Sequence, residues 1–261
     1  MSEAKLLVSS EHGIKRISFN RPERRNPIDR ETFSLLHAAI NESTTDGTRA
    51  IIITGEGQAF CAGADLTEIN TRDAAEYDVT RVLRDNANTA ILTMRALPVP
   101  IIARVHGPAA GIGCNYALAC DIIIASEQAI FVQAFAKIGL MPDGGGTFFL
   151  PRLLGYHKAF ELMATGDVLT AQEACAHGLV NRVVPVAELD DTVNQMARRL
   201  ADMPPIALAK IKAALNQSAT ADLATMLEFE AVNQADCFSS ADFTEGVSAF
   251  LQKRKPAFTG K

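Results

Sequence analysis

At 261 residues, 48% of them hydrophobic and 21% charged, the chain is long enough for one large buried core with an appended element, as in an ordinary soluble globular protein. The formal net charge of −5 is mild, and Lys and Arg are scattered apart from Lys253-Arg254-Lys255, which argues against a nucleic-acid partner because phosphate backbones need a concentrated basic face. Five cysteines with no Cys-x-x-Cys pair, no apolar run near roughly 18 residues, and a start, Met-Ser-Glu-Ala-Lys, with neither a basic nor an apolar signal speak against a disulfide framework, a metal site, a membrane span and export, so a cytoplasmic protein is expected.

In chain order, Lys5 to Ser10 and Ile14 to Asn20 read as two strands joined by the hairpin signal His12-Gly13. Arg21 to Pro27 follows as a polar, proline-bounded loop with an unusual density of arginine. Asp29 is a good N-cap for a helix that carries Phe33, Leu36 and Ile40 inward. Ala50 to Thr54 is a buried strand that empties into a turn of small residues, Gly55 to Leu66. Asp73 to Leu97 is predicted as one long helix with Val79, Leu83, Ala90, Met94 and Leu97 on one face, stopped by Pro98 and Pro100.

The stretch Val105 to Asp121 lies between two buried strands, Ile101 to Val105 and Ile122 to Ala125. Gly107, Pro108, Gly111 and Gly113 are expected to break regular structure there, with Tyr116 to Cys120 as the body of a short helix. A turn that enters a helix from the end of a strand points free N–H groups into the cleft above the sheet, where negative charge is favoured.

Farther on, Pro142 to Thr147 breaks the chain before an apolar helix over Phe148 to Leu154. Thr170-Ala-Gln-Glu173 has the spacing of a capping box for a helix over Ala171 to His177, and Val180 to Val184 reads as a last strand. Beyond Pro185 the pattern is helical, with Leu189, Val193, Met196 and Leu200 on one face and Phe243, Val247, Phe250 and Leu251 on another. The division is therefore a core over residues 1–190 and a helical region over 191–261, a lid or an oligomer-forming tail hinged near Pro204-Pro205.

Strands alternating with helices imply an α/β fold with a mostly parallel sheet, and ligands of such folds gather at loops after the strands. No Gly-x-Ser-x-Gly elbow is present, Gly111-x-Gly113 lacks the third glycine of a dinucleotide fingerprint, and Gly144-Gly145-Gly146-Thr147 lacks the lysine of a phosphate loop. No separate cofactor is expected.

Four motifs carry a resemblance. Ala59 to Leu66, His106 to Asn115, Cys120 to Ala125 and Gly139 to Thr147, in this order and spacing, resemble the crotonase, or enoyl-CoA hydratase/isomerase, superfamily. The resemblance implies a crotonase-like spiral of ββα repeats with a C-terminal helical trimerisation region, assembled as a homotrimer or dimer of trimers, and an acyl-CoA thioester substrate that brings coenzyme A with it. It also implies that the backbone N–H groups of Ala64 and Ile112 hold the thioester oxygen. Two preorganised donors stabilise an enolate where water is excluded, and losing one such donor typically costs about 3 kcal/mol of barrier.

The two glutamates that hydratases of this family place over the acyl chain fall at Asn115 and Phe135, neither of which can act as acid or base. A different carboxylate stands at Asp143, and Phe131 to Asp143 resembles the single-aspartate isomerases of phenylacetate and fatty-acid breakdown, in which this aspartate is the base. Its surroundings, rich in phenylalanine, predict a raised pKa, while a plain helix cap is its bland alternative. By the same resemblance, Ala62, Asp65 and Leu66 belong to the CoA-binding turn, Asp65 with a second reading as a turn cap. Arg24, Arg25 and a neighbouring subunit's Lys255 or Lys261 are candidates for CoA phosphates. Three functions stay open: a Δ3-Δ2 enoyl-CoA or ring-epoxide acyl-CoA isomerase using Asp143, a hydratase working through Asp143 and a bound water, and a silent acyl-CoA binder.

Overall fold

In the computed structural model, which describes residues 4–67 and 78–261, the hairpin β1 (Leu6–Glu11) and β2 (Ile14–Phe19) turns through His12 and Gly13, both with positive φ. A 3₁₀ turn over Pro22–Arg24, the short β3 (Pro27–Ile28) and α1 (Arg30–Glu42) follow. Asp29 caps α1 through the amide of Thr32, and Phe33, Leu36 and Ile40 are buried as their spacing predicts. Then come β4 (Ala50–Gly55) and β5 (Gly63–Ala64).

The predicted long helix splits into α2 (Val79–Val82), a π-helical segment over Leu83–Asn88, and α3 (Thr89–Ala96). Its predicted start at Asp73 lies outside the described residues. The π segment rotates the face, so Val79 is 53% exposed while Ala90 and Met94 are fully buried.

The centre of the chain is β6 (Ile101–Val105), β7 (Pro108–Ala110), α4 (Ile112–Ala119), β8 (Ile122–Ser126) and β9 (Ile130–Val132). Here two expectations are corrected. Pro108 opens a strand paired with β9, and Gly113 does not break structure but sits inside α4, where a Cβ would lie 2.6 Å from Cys61. The helix therefore starts at Ile112, four residues before the predicted body.

After a 3₁₀ turn over Ala134–Ile138, the chain forms α5 (Gly146–Leu154), α6 (Tyr156–Thr165), β10 (Val168–Thr170) and α7 (Ala171–Ala176), the last closed by the predicted Thr170–Glu173 capping box. The last strand, β11 (Arg182–Val184), is shorter than its apolar run because Val180 is buried against α7, its N–H donating to Ala174. Four helices end the chain: α8 (Leu189–Ala201), α9 (Pro205–Ser218), α10 (Leu223–Phe238) and α11 (Ala241–Gln252).

The main sheet runs β1-β2-β4-β6-β8-β11, parallel except for the hairpin, beside a three-stranded β10-β9-β7 sheet and the β3-β5 pair. Its central strands are apolar on both faces because both faces are covered. Ile51, Ile53, Ile101 and Ala103 join the large core under α1, α3 and α4, while Ala50, Ile52, Ile102 and Ile124 meet Leu189, Val193 and Ala197 of α8. The predicted division at residue 190 falls inside α8, which Arg104 also ties to the sheet through a two-bonded pair with Asp190. No helix among the described residues is long and apolar enough to cross a membrane.

Candidate active site

Two turns leave the carboxyl ends of neighbouring parallel strands, the first after β4 and the second after β6. Asn26, fully buried with positive φ, shapes the first by donating its side-chain N–H to the carbonyls of Glu56 (2.8 Å) and Ala59 (2.7 Å). The turns touch: a Cβ on Gly63 would stand 3.0 Å from the Ala110 oxygen and 3.8 Å from Gly111 Cα. Gly63 (φ 103°) and Gly111 (φ 52°) adopt backbone that other residues rarely accept, and each immediately precedes one of the expected donors. Asp65 N–H donates to Ile28 across the β3-β5 pair, so the intervening amide of Ala64 turns away from that partner. Ile112 is the first residue of α4, and its N–H has no acceptor within the helix. The fold thus sets side by side two amides that lie 48 positions apart in the chain.

Asp143 sits in the glycine turn before α5, which lies against the first turn of α4. A Cβ on Gly144 would be 3.0 Å from Ile112 Cγ1, and one on Gly146 would be 2.7 Å from the Asn115 carboxamide. The cap of α5 is Gly145, with no side-chain capping bond, so Asp143 is not the cap its residue type suggested. Its Oδ1 is buried without a hydrogen-bond partner, and burial pushes the carboxyl up to about 6, only partly opposed by its own backbone amide.

The two positions that the resemblance aligns with the hydratase glutamates, Phe135 and Asn115, are apolar and neutral. Phe135 is buried, its ring facing Gly111. Asn115 has no solvent exposure and donates its carboxamide N–H to the main-chain oxygen of Asp143 at 2.7 Å. Gln133, which the sequence reading passed over, donates to Asn115 Oδ1 at 2.8 Å while its own Oε1 is buried and unpaired. The only linear signal for it was a polar residue directly after the apolar run Ile130–Val132. Tyr116 beside Asn115 also has a buried, unpartnered hydroxyl, with its pKa pushed up by burial first and by Cys61 and Asp143 after that.

The candidate CoA contacts divide. Arg24 forms two parallel bonds to Asp65 (3.0 and 3.1 Å), whose carboxylate also meets Arg21 (2.8 Å) and Thr67 (2.6 Å). Burial raises the Asp65 pKa, but Thr67 and Arg21 outweigh it and hold the carboxyl below its ordinary value. Asp65 therefore caps and clamps the turn, while Ala62, Ala64 and Leu66 alternate outward. Arg25 is exposed with no partner for its guanidinium among the described residues, and its main-chain oxygen receives the amide of Ala62 at 2.9 Å. Lys255 pairs with Asp202 at 2.6 Å, and Lys261 lies where the tail returns over α11, its oxygen bonded to Ala241. Both lie near the far end of the sheet, where Arg49 before β4 bonds Phe258, so one protomer does not bring them to the turns. A cavity of about 1350 Å³ between α3, α5 and α9 includes neither donor turn nor Asp143, and of its cations Arg95 and Lys212 pair with Asp121, Lys210 pairs with Asp236 and Arg152 stacks on Phe148. The converging glycine turns and the unpaired Asp143 oxygen lie outside that cavity.

Parallel strands of one sheet whose end-turns converge on one another and on a single carboxyl define a class of α/β folds with a main-chain anion cradle. The chain belongs to the enoyl-CoA hydratase/isomerase family, whose sequence model matches residues 9–261. It is 41% identical to 1,2-epoxyphenylacetyl-CoA isomerase of Escherichia coli K12 over 98% of both chains. It is 38% identical to a probable enoyl-CoA hydratase of Rhodobacter capsulatus over the full length of both. Among solved structures, enoyl-CoA hydratase from Bacillus anthracis superposes with a TM-score of 0.93 at 34% identity, over 99% of this chain and 100% of that one. The chain is an enzyme of this family with the crotonase fold.

Proposed function

We propose that the protein is an acyl-CoA isomerase that moves a double bond from the 3 to the 2 position of an enoyl-CoA, with Asp143 as its single acid/base. The carboxylate takes a proton from the carbon beside the thioester. The electron pair moves to the thioester oxygen, where the N–H groups of Ala64 and Ile112 stabilise the enolate. Collapse of the enolate draws the double bond into conjugation, and the carboxylic acid returns the proton two carbons farther along. Atoms and charge balance with no water consumed.

The observation that carries this reading is the Asp143 carboxyl: half-buried, unpaired at Oδ1 and raised to about 6, a value suited to accepting and returning a proton near neutrality. Hydration uses a positioned water as well, for which a second acid/base group is an advantage, and Asn115 and Phe135 supply neither acid nor base. The same carboxyl suits rearrangement of a ring-epoxide acyl-CoA, which the similarity to the E. coli isomerase favours as a second substrate class. Arg25 is proposed to meet a CoA phosphate, the outward-facing turn residues Ala62, Ala64 and Leu66 the rest of the coenzyme, and the C-terminal helices a neighbouring copy in a trimer. Five free cysteines suit the reducing cytoplasm.

The test is turnover of purified protein on 3-enoyl-CoA and 2-enoyl-CoA. Conjugation of the first, abolished in Asp143→Asn while acyl-CoA affinity is kept, is the expected result. Water addition to the second, or undiminished isomerisation by Asp143→Asn, would overturn it.

A further inference from the structure

We propose that Gln133 and Asn115 form a two-bond relay that positions Asp143 over the first turn of α4. The proposal rests on Asp143 being the acid/base, and the experiment below separates the two. Three elements meet in this relay. Gln133, 3% exposed at the end of β9, donates to Asn115 Oδ1 at 2.8 Å, and Asn115, 0% exposed in α4, donates to the main-chain oxygen of Asp143 at 2.7 Å.

The bond from Gln133 decides which end of the Asn115 carboxamide faces the turn. With its oxygen engaged, Asn115 presents N–H to Asp143, and the main chain is held while Oδ1 of the carboxyl stays unpaired. The two flanking glycines make the docking close, Gly144 against Ile112 and Gly146 against Asn115 itself. Base and anion donor are therefore parts of one packed unit: Ile112 offers its N–H three residues before Asn115 on the same helix. A carboxylate at 115 would instead face the Asp143 carbonyl oxygen as acceptor to acceptor, and would add a like charge beside the base. The other titratable groups packed around the relay, Tyr116, Cys61 and Cys114, are all pushed upward by burial and stay neutral, so they do not obscure a shift at Asp143.

Three variants test this: Asn115→Leu, which removes the donor at similar volume, Asn115→Asp, which reverses its polarity, and Gln133→Met, which frees the carboxamide. Each is measured for kcat and KM on 3-enoyl-CoA, and for the titration midpoint of the Asp143 carboxyl by carbon NMR. Asn115→Leu is expected to lower kcat by on the order of ten- to a hundredfold with little change in KM, since misplacing a base by an ångström costs that much. Gln133→Met should move kcat in the same direction by less, and Asn115→Asp should raise the midpoint by about one unit. Wild-type kcat and an unmoved midpoint in all three, with Asp143→Asn inactive, would overturn the relay and leave the isomerase reading intact. If Asp143→Asn remains active, the isomerase reading fails, and the midpoint alone decides the relay. If Asn115→Leu does not fold, Gln133→Met and Asn115→Asp carry the decision.

Discussion

Burial of Asp143 has two measurable consequences of opposite sign. Below pH about 4 the carboxyl is protonated in folded and unfolded chains alike and contributes no difference. Between its ordinary value of 3.8 and its folded value of about 6, the folded protein holds the proton more tightly, so stability falls as pH rises. Above that window the folded state carries the full cost of a buried charge, about 2 to 3 kcal/mol for a shift of about two units. Asp143→Asn is expected to melt higher than wild type at pH 7.5 and to converge with it near pH 4. Wild-type kcat/KM should climb through pH about 6 and level off above, because the base must be ionised to start the reaction. A Tm difference that ignores pH, together with a flat rate profile, would contradict the burial that gives Asp143 its role. This residue was legible as a candidate, but its release from capping duty was not, because that depends on Gly145 taking the cap position in three dimensions. In the same way Arg24 read as a coenzyme contact and Asp65 as a coenzyme contact or a turn cap, with nothing to link the two. They lie 41 residues apart, and only the fold shows them clamped to each other.

Elements differ in how openly the chain declares them. Those set by local chemistry followed their signals: the His12-Gly13 hairpin, the Asp29 cap, and the Thr170–Glu173 box. Those set by close packing did not. Gly113 resembles a helix breaker until Cys61 is seen 2.6 Å from where its Cβ would stand. Gly113→Ala is therefore expected to cost about 1 to 3 kcal/mol in urea unfolding, the usual price of overpacking a core. It should also depress kcat, since the displaced turn carries Ala64. A helix on the other side of the core makes a second case. Lys212 of α9, 8% exposed, donates to Asp121 at 2.8 Å and to the Val99 carbonyl at 3.1 Å, and Arg95 bridges the same carboxylate to Asn216. Asp121→Asn would leave that ammonium and guanidinium without their counter-charge at a partly dry junction. A loss of about 2 kcal/mol is expected, between the values for exposed and buried pairs. It should show first as faster hydrogen exchange in α9, ahead of the central strands.

At the scale of the whole molecule, apolar surface is distributed unevenly. The main sheet is covered on both faces, while the terminal helices leave large side chains in the open: Leu223 at 75% exposure, Val232 at 57%, Phe250 at 83% and Leu251 at 73%. Isolated exposed leucines need no explanation, but a cluster on helices that pack mainly on one another marks a surface awaiting a partner. The proposed partner is a second copy of this chain, and its consequence reaches the active site. In one protomer Lys255 and Lys261 lie away from the turns, so a basic tail can meet a coenzyme phosphate only by crossing to a neighbour. The double variant Phe250→Glu, Leu251→Glu places two charges on this face and touches none of Asp143, Ala64 or Ile112. Light scattering should report the wild type as a trimer or a multiple of it and the variant as a smaller species. Association through this face also predicts that KM for a CoA thioester rises in the variant more than kcat falls, because the coenzyme loses a contact while the carboxyl keeps its place. If the variant keeps the wild-type mass, or becomes smaller with KM unchanged, the C-terminal helices do not complete the coenzyme site.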